Sequence, residues 1–309
     1  MKIVCVESLG IGQGRFEELK KHYASMGHEF IYYMNRREDN ETLAERMHEA
    51  DIVAISNIKL TASVLEQCPR LKYISVAFTG LDHIDLEYCN AHGIKVQNAA
   101  GYSTTAVSEL AVGMMLDLLR NILTLSELTH RGGSRGTFLG RELRGKTVGI
   151  VGTGAIGIAT IRLLLAFGAK VIAWSRTERP EVKAMGVEYL PMEALLQQSD
   201  IVSLHVPLND ETRGLIEEKE LALMKPTALL VNTARGPVCD IAAVGRALVE
   251  NRIAGAAFDV FEHEPPLPLD HLLLSTNRCL VTPHIAFATE ESFAARADIV
   301  FGHIDDYLK

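Results

Sequence analysis

The sequence predicts an α/β protein built from two doubly wound parallel-sheet domains, and three observations carry that reading. Short apolar, β-branched runs alternate with amphipathic helical stretches over the first hundred residues and again beyond residue 147. Between the two series, the helical stretch from Ser103 to about Thr129 is too long to be a simple crossover. Within the second series, Thr147 to Arg176 reads as strand, glycine turn, helix and strand.

In chain order, KIVCVES is strand-like, and FEELKKHYASMG carries apolar residues at helical spacing before a terminating glycine. HEFIYYM, TLAERMHEA and DIVAIS repeat strand, helix, strand. LTASVLEQCP is a helix ending at Pro69, LKYISVAF a strand, IDLEYCNAHG a helix stopped by Gly93, and IKVQNA a short strand. The long helix then leads the chain out of the first domain and offers a subunit contact, and RGGSRGTFLGREL follows as a surface loop. Beyond the glycine turn, MEALLQQS leads to DIVSLHVP, EKELALM to ALLVNTA, and CDIAAVGRALVENR to IAGAAFDVF, with CLVTPHIAF as the last strand. TEESFAARADIVFGHIDDYLK reads as one closing helix, free to return to the first domain. The smaller domain is therefore expected to be discontinuous, 1–100 plus 287–309, with the other spanning 101–286. The cleft between them is the natural place for chemistry.

Composition narrows the partners. With 31 Lys and Arg against 39 Asp and Glu, the net charge is −8, and the basic residues form no dense run. That argues against nucleic acid as a partner. MKIVCVESLG is a strand broken by Glu7 rather than a signal peptide, and no apolar stretch is long enough to span a bilayer, so no membrane partner and a cytoplasmic location are expected. Five cysteines without CxxC spacing fit reduced thiols better than disulfides, and no metal site is expected.

Gly152, Gly154 and Gly157 supply GxGxxG where a strand ends and a helix opens. The first permits a tight turn, the second lets backbone approach a pyrophosphate, and the third lets helix and strand pack closely. The N–H groups at Ala155 and Ile156 would hold that pyrophosphate at the positive end of the helix. A carboxylate that reads a ribose 2′-hydroxyl should lie roughly 20 residues on, but Ser175, Arg176 and Thr177 stand there instead. A guanidinium and two hydroxyls suit a 2′-phosphate, so NADP(H) is favoured, with NAD(H) possible.

Three polar residues follow strand-like runs in the second half: Arg235 after ALLVNTA, Glu264 after AAFDV, and His284 in CLVTPH. These residue types suit hydride addition to a 2-oxo acid, which leaves an alkoxide needing a proton beside a carboxylate needing a cation. His284 would give the proton, Glu264 would fix its tautomer and favour its charged form, and Arg235 would clamp the carboxylate through its planar fork.

In this order VGIVGTGAIG, VNTARG, AAFDVFEHEPP and TPHIA resemble the signatures of the D-isomer-specific 2-hydroxyacid dehydrogenases over nearly the whole chain. The resemblance implies a flavodoxin-like substrate domain, a Rossmann dinucleotide-binding domain, a homodimer, and Arg235, Glu264 and His284 as the catalytic set. It implies Thr233, Ala234, Asp259 and Ala286 near the nicotinamide and His205, Val206, Pro207 and Thr212 along the cofactor. In the substrate domain, FTGLDHID carries Phe78, Thr79 and Gly80 where many members have a GxG turn whose N–H groups take the substrate carboxylate. Phe78 in place of a glycine narrows that pocket. Ile55 stands where phosphoglycerate dehydrogenases usually carry an arginine, and the combination SNIKLT with AFTGLDHID resembles the glycerate dehydrogenase, or hydroxypyruvate reductase, branch. Asn57 is either a donor to substrate or a turn residue. The expected substrate is a small 2-oxo acid such as hydroxypyruvate or glyoxylate. Phosphoglycerate is the alternative within the family, and a non-catalytic, dinucleotide-sensing corepressor-like protein is the alternative outside it.

Overall fold

The computed structural model describes residues 1–309 except Glu264, Pro265 and Asn277. Its backbone divides into two units, Met1–Ser103 with Ala288–Lys309, and Thr104–Phe287. In the first, β1 (Lys2–Cys5), β2 (Glu29–Tyr32), β3 (Ile52–Ile55), β4 (Tyr73–Val76) and β5 (Lys95–Asn98) form an all-parallel sheet of order β2-β1-β3-β4-β5. The central strands β3 and β4 are buried at every position, which is why they read as continuous apolar runs rather than alternating ones.

The closing helix, Glu290–Leu308, belongs to this first unit and packs on β4. Phe301 meets the rings of Phe16 and Phe30 edge-on at 6.4 and 6.0 Å, and Tyr307 stacks on Tyr73 at 4.4 Å. Its buried stripe includes Arg296, Ala297, Val300, Phe301 and Ile304, helical spacing with a cation in it. Arg296 is only 3% exposed, and burial holds its pKa below the ordinary arginine value. Its Nη2 donates to the Leu9 carbonyl (2.5 Å), and its Nη1 to the Ala77 carbonyl (3.3 Å) and Ser56 Oγ (3.4 Å). One side chain thereby ties together the loops that follow β1, β3 and β4. Arg296→Met keeps the volume but removes the donors. It is expected to lower stability by about 3 kcal/mol or more, since each of the three buried acceptors left without its donor costs about 1–3 kcal/mol. The urea midpoint measures this, and an unchanged midpoint would show that the loops hold without it.

The second unit carries β6 (Thr147–Val151), β7 (Lys170–Trp174), β8 (Glu188–Tyr189), β9 (Ile201–Leu204), β10 (Leu229–Asn232), β11 (Gly255–Phe258) and β12 (Cys279–Val281). They form one parallel sheet of order β12-β11-β10-β9-β6-β7-β8. Alternate residues feed two cores. Val148, Ile150, Val231 and Ala257 join one, while Leu204, Leu230, Ala256 and Phe258 join the other. Both faces are therefore covered, as a parallel sheet requires.

Two local features differ from the expectation. The long helix is two helices, Thr104–Arg120 and Ile122–His130, because Asn121 adopts φ +48°. Asparagine tolerates that left-handed region better than most residues. The Asp117 carboxylate accepts from the Leu123 N–H at 2.8 Å and so starts the second helix in place of an Asn121 cap. The two-residue strand β8 is too short for any apolar period to reveal. Among the described residues, no helix is long and apolar enough to cross a membrane.

Candidate active site

The glycine turn is built by close approach. Gly152 has φ +100°, and a Cβ on it would lie 2.5 Å from the His205 carbonyl oxygen, so β6 and the loop after β9 meet backbone to backbone there. A Cβ on Gly157 would lie 2.1 Å from the Gly152 carbonyl oxygen, which leaves glycine as the only residue that fits. Gly154 is different: nothing lies within 4 Å of where its Cβ would be. The helix Ala155–Ala166 opens beneath that space, and no side chain caps its first turn. Ala155 and Ile156 thus present backbone N–H groups at an open helix N-terminus. The chain reverses its direction of winding between β6 and β9, the topological switch point at which doubly wound sheets bind ligands.

A cavity of about 240 Å³ opens at this edge. It gathers Gly152 and Gly154 from the turn, Ser175, Arg176 and Thr177 from the end of β7, and His205, Val206, Pro207 and Thr212 from the loop after β9. Burial pushes the His205 pKa down to about 4, so the imidazole is neutral, and its Nε2 lies 2.9 Å from Ser203 Oγ. Thr212 Oγ1 donates to the Pro207 carbonyl at 2.6 Å, and the Asn209 side-chain oxygen accepts from the N–H groups of Glu211 and Thr212, which folds the loop into a fixed turn. Arg179, Asn209 and Glu211 also line the cavity and were not singled out from the sequence. The sequence offers no carboxylate at the end of β7, yet the fold brings one there: Glu211 Oε2 lies 2.8 Å from Arg176 Nη1. Thirty-five positions separate the two residues, and only the pairing of β6 with both β7 and β9 closes the gap.

A second cluster sits along the same edge. Asn232, Phe258 and Val281 stand in register across β10, β11 and β12, so the residues just past them emerge side by side. Buried Asn232 shapes the turn after β10: its oxygen accepts from the Ala234 N–H at 3.0 Å and its amide donates to the Arg235 carbonyl at 2.9 Å. Arg235 is half-buried, with Nη1 donating to the Ala234 carbonyl at 2.8 Å. Thr233 Oγ1 is buried with no hydrogen-bond partner among the described residues. A Cβ on Gly236 would lie 2.0 Å from the Phe261 carbonyl carbon, so the loops after β10 and β11 touch.

Fully buried Asp259 grips the loop after β12 on both sides of His284. It accepts from Thr282 Oγ1 (2.5 Å), the Ile285 N–H (2.8 Å) and the Ala286 N–H (2.8 Å). Burial raises its pKa above the ordinary aspartate value against the pull of those three bonds. His284 itself takes φ +54°, a left-handed conformation uncommon outside glycine, and its ring stands edge-on to Phe287 at 5.3 Å. Glu264 lies outside the described residues.

In the first unit, Asn57 follows β3, and Phe78, Thr79 and Gly80 follow β4, its neighbour. Phe78 is 5% exposed with its ring edge-on to His83 at 6.2 Å, and the Thr79 carbonyl accepts from Asn98 Nδ2 at 2.5 Å. Asn57 Oδ1 accepts from Arg36 Nη1 at 2.9 Å. Arg36 also pairs with Glu38 and with buried Glu7, whose other oxygen accepts from the Ser56 N–H at 2.9 Å. Arg36 and Arg296 are polar residues of this edge that sequence reading missed. Ile55 is wholly buried within β3.

The open room over Gly154, the uncapped helix start and the unsatisfied Thr233 hydroxyl together fit a bound dinucleotide. The class of protein so defined is an NAD(P)-dependent oxidoreductase on a doubly wound fold. Residues 112–286 match the family model described as D-isomer specific 2-hydroxyacid dehydrogenase, NAD binding domain. A glyoxylate reductase of Thermococcus litoralis is 40% identical over 277 residues, covering 86% of this chain and 83% of the other. A hydroxypyruvate reductase of Blautia hydrogenotrophica is 30% identical over 316 residues, covering 100% and 97%. The solved structure of an acyclic imino acid reductase, Bsp5, in complex with NADPH and D-Arg superposes with a TM-score of 0.90 at 30% identity, covering 100% of this chain and 97% of that one. The chain belongs to the D-isomer-specific 2-hydroxyacid dehydrogenase family and is an enzyme that interconverts 2-oxo and D-2-hydroxy acids.

Proposed function

We propose that this enzyme reduces small 2-oxo acids of the glyoxylate and hydroxypyruvate type, with NADPH favoured over NADH. The observation that carries the reading is the shared register of β10, β11 and β12, which brings Arg235 and the Asp259-held His284 loop out at one edge of the sheet that bears the glycine turn. When bound, the nicotinamide supplies the hydride. His284 donates the proton that the developing alkoxide needs, and Arg235 holds the substrate carboxylate through paired N–H bonds. Glu264 is the proposed partner of the His284 ring. Thr233, Ala234, Asp259 and Ala286 flank the nicotinamide, with the unsatisfied Thr233 hydroxyl as the clearest sign.

Gly152, Gly154, Ala155, Ile156 and Gly157 form the pyrophosphate cradle, and His205, Val206, Pro207 and Thr212 border it. Ser175, Arg176 and Thr177 take the 2′-phosphate, a reading supported by the guanidinium at the cavity and by NADPH in the similar imino acid reductase. Asn57, Phe78, Thr79 and Gly80 meet the substrate. A small, unphosphorylated acid is supported by the bulk of Phe78, by Ile55 in place of an arginine, and by the neutralisation of Arg36 by Glu7 and Glu38. A homodimer is supported by the helix Ile122–His130, which buries none of its residues and leaves Ile122, Leu123 and Leu128 exposed. Five free thiols support a reducing, cytoplasmic setting.

The test is a panel of glyoxylate, hydroxypyruvate, pyruvate and 3-phosphohydroxypyruvate, each assayed with NADPH and with NADH. Glyoxylate or hydroxypyruvate with NADPH should give the highest kcat/KM, about tenfold or more above the phosphorylated acid, roughly the discrimination of 1.4 kcal/mol. No turnover with any short 2-oxo acid would overturn the reading. Tight dinucleotide binding without turnover would favour a sensing role instead.

A further inference from the structure

The ion pair between Arg176 and Glu211 does little for the fold. Their side chains are 77% and 69% exposed, and pairs so exposed contribute little to stability. Both residues nevertheless line the cavity that holds Gly152 and Gly154. Glu211 also sits in a loop whose shape does not depend on its carboxylate, because the Asn209 side chain fixes that turn through backbone N–H groups. Arg179, the other guanidinium of the cavity, has no acidic partner among the described residues. The pocket thus carries two cations, one of them already occupied by a carboxylate.

We propose that Glu211 sets how strongly the enzyme discriminates between dinucleotides with and without a 2′-phosphate, by competing for the Arg176 guanidinium. This rests on the cofactor reading above. A 2′-phosphate carries about −1.5 to −2 charges near neutral pH, the charge of an ordinary phosphomonoester. To reach Arg176 it must displace the Glu211 carboxylate and then lie near it, like charge beside like charge. A ribose with a free 2′-hydroxyl leaves the pair intact. The carboxylate therefore weakens NADPH selectively and keeps NADH usable, and Arg176 alone does not decide the preference.

The experiment titrates the wild-type chain and Glu211→Gln with NADPH and NADH by fluorescence, and with adenosine 2′,5′-bisphosphate and AMP by calorimetry, none of which requires turnover. Glu211→Gln should tighten NADPH and adenosine 2′,5′-bisphosphate by on the order of fivefold while NADH and AMP move less than about twofold. In an Arg176→Gln background the same change should act far less, through the remaining like-charge repulsion alone, because the competition for the guanidinium is gone. An NADPH to NADH affinity ratio that Glu211→Gln leaves unchanged, in a protein whose wild type binds both, would overturn the proposal alone. Weakening confined to NADH would assign the carboxylate to a ribose hydroxyl and overturn it too. A wild type that binds neither dinucleotide would overturn the cofactor reading and this proposal together.

Discussion

Replacing His284 with alanine is expected, on the role proposed for it, to lower kcat by about 10²–10⁴-fold, the range that a positioned general acid supplies, while the affinity for NADPH stays within about twofold because the proposed role touches the proton transfer and not the dinucleotide. The geometry explains why no neighbour should take over. His284 sits in a left-handed turn whose backbone N–H bonds the Thr282 carbonyl at 3.0 Å, and the flanking residues are held by Asp259. The loop presents this one side chain and cannot slide another into its position. His284→Gln keeps a donor of similar size but has no proton to yield near neutral pH, so it should lose nearly as much activity. Single-turnover oxidation of bound NADPH, read beside a fluorescence titration, separates the chemical step from binding. Wild-type turnover in the glutamine variant would remove His284 from the chemistry.

Asp259→Ala should be the most damaging change to the fold of the second unit. It leaves the Ile285 and Ala286 N–H groups and the Thr282 hydroxyl without their buried acceptor. At about 1–3 kcal/mol for each of these three groups, a loss of about 3 kcal/mol or more follows, and kcat should fall with it as the His284 loop loosens. The pH dependence has a distinctive sign. Burial raises the Asp259 pKa in the folded chain, so between the ordinary aspartate value and the raised one the folded state binds more protons than the unfolded state. Stability from this group therefore falls as pH rises through that window. Asp200, whose pKa is lowered despite its burial by bonds from Lys225 and the Thr147 N–H, does the opposite and loses its contribution as pH falls. Asp259→Asn cannot titrate, so the stability difference between wild type and this variant should shift towards the variant as pH rises from acid. Denaturant midpoints across the carboxylate range measure it, and a difference that does not change with pH would refute the shift.

Much of the architecture was legible because parallel sheets write themselves in long apolar runs punctuated by glycine. The turn at Gly152 and the strand ends before Arg235 and His284 are local features, and local features survive in one dimension. Asn121 was in principle readable, since asparagine is among the few residues that accept a left-handed break, but the apolar period runs unbroken across it. Arg296 was readable too: it falls on the buried stripe of its own helix, where a charge signals a specific partner, and its flanking alanines concealed that. The meeting of Glu211 with Arg176 was not readable, because it depends on which strand β9 pairs with. Nor was the grip of Asp259 on the next loop, for a lone aspartate after a strand has many uses until its donors are located.

The contact at Gly236 has a consequence for how such a protein changes over time. With no room for even a methyl group between that glycine and the Phe261 backbone, the two loops behave as one gear. The Arg235 side chain cannot be repositioned by reshaping its own turn without dragging the loop that carries Asp259 and, through the hydrogen bonds of Asp259, the His284 loop. A substitution in any one of these three loops is therefore constrained by the other two, so the set changes together or not at all.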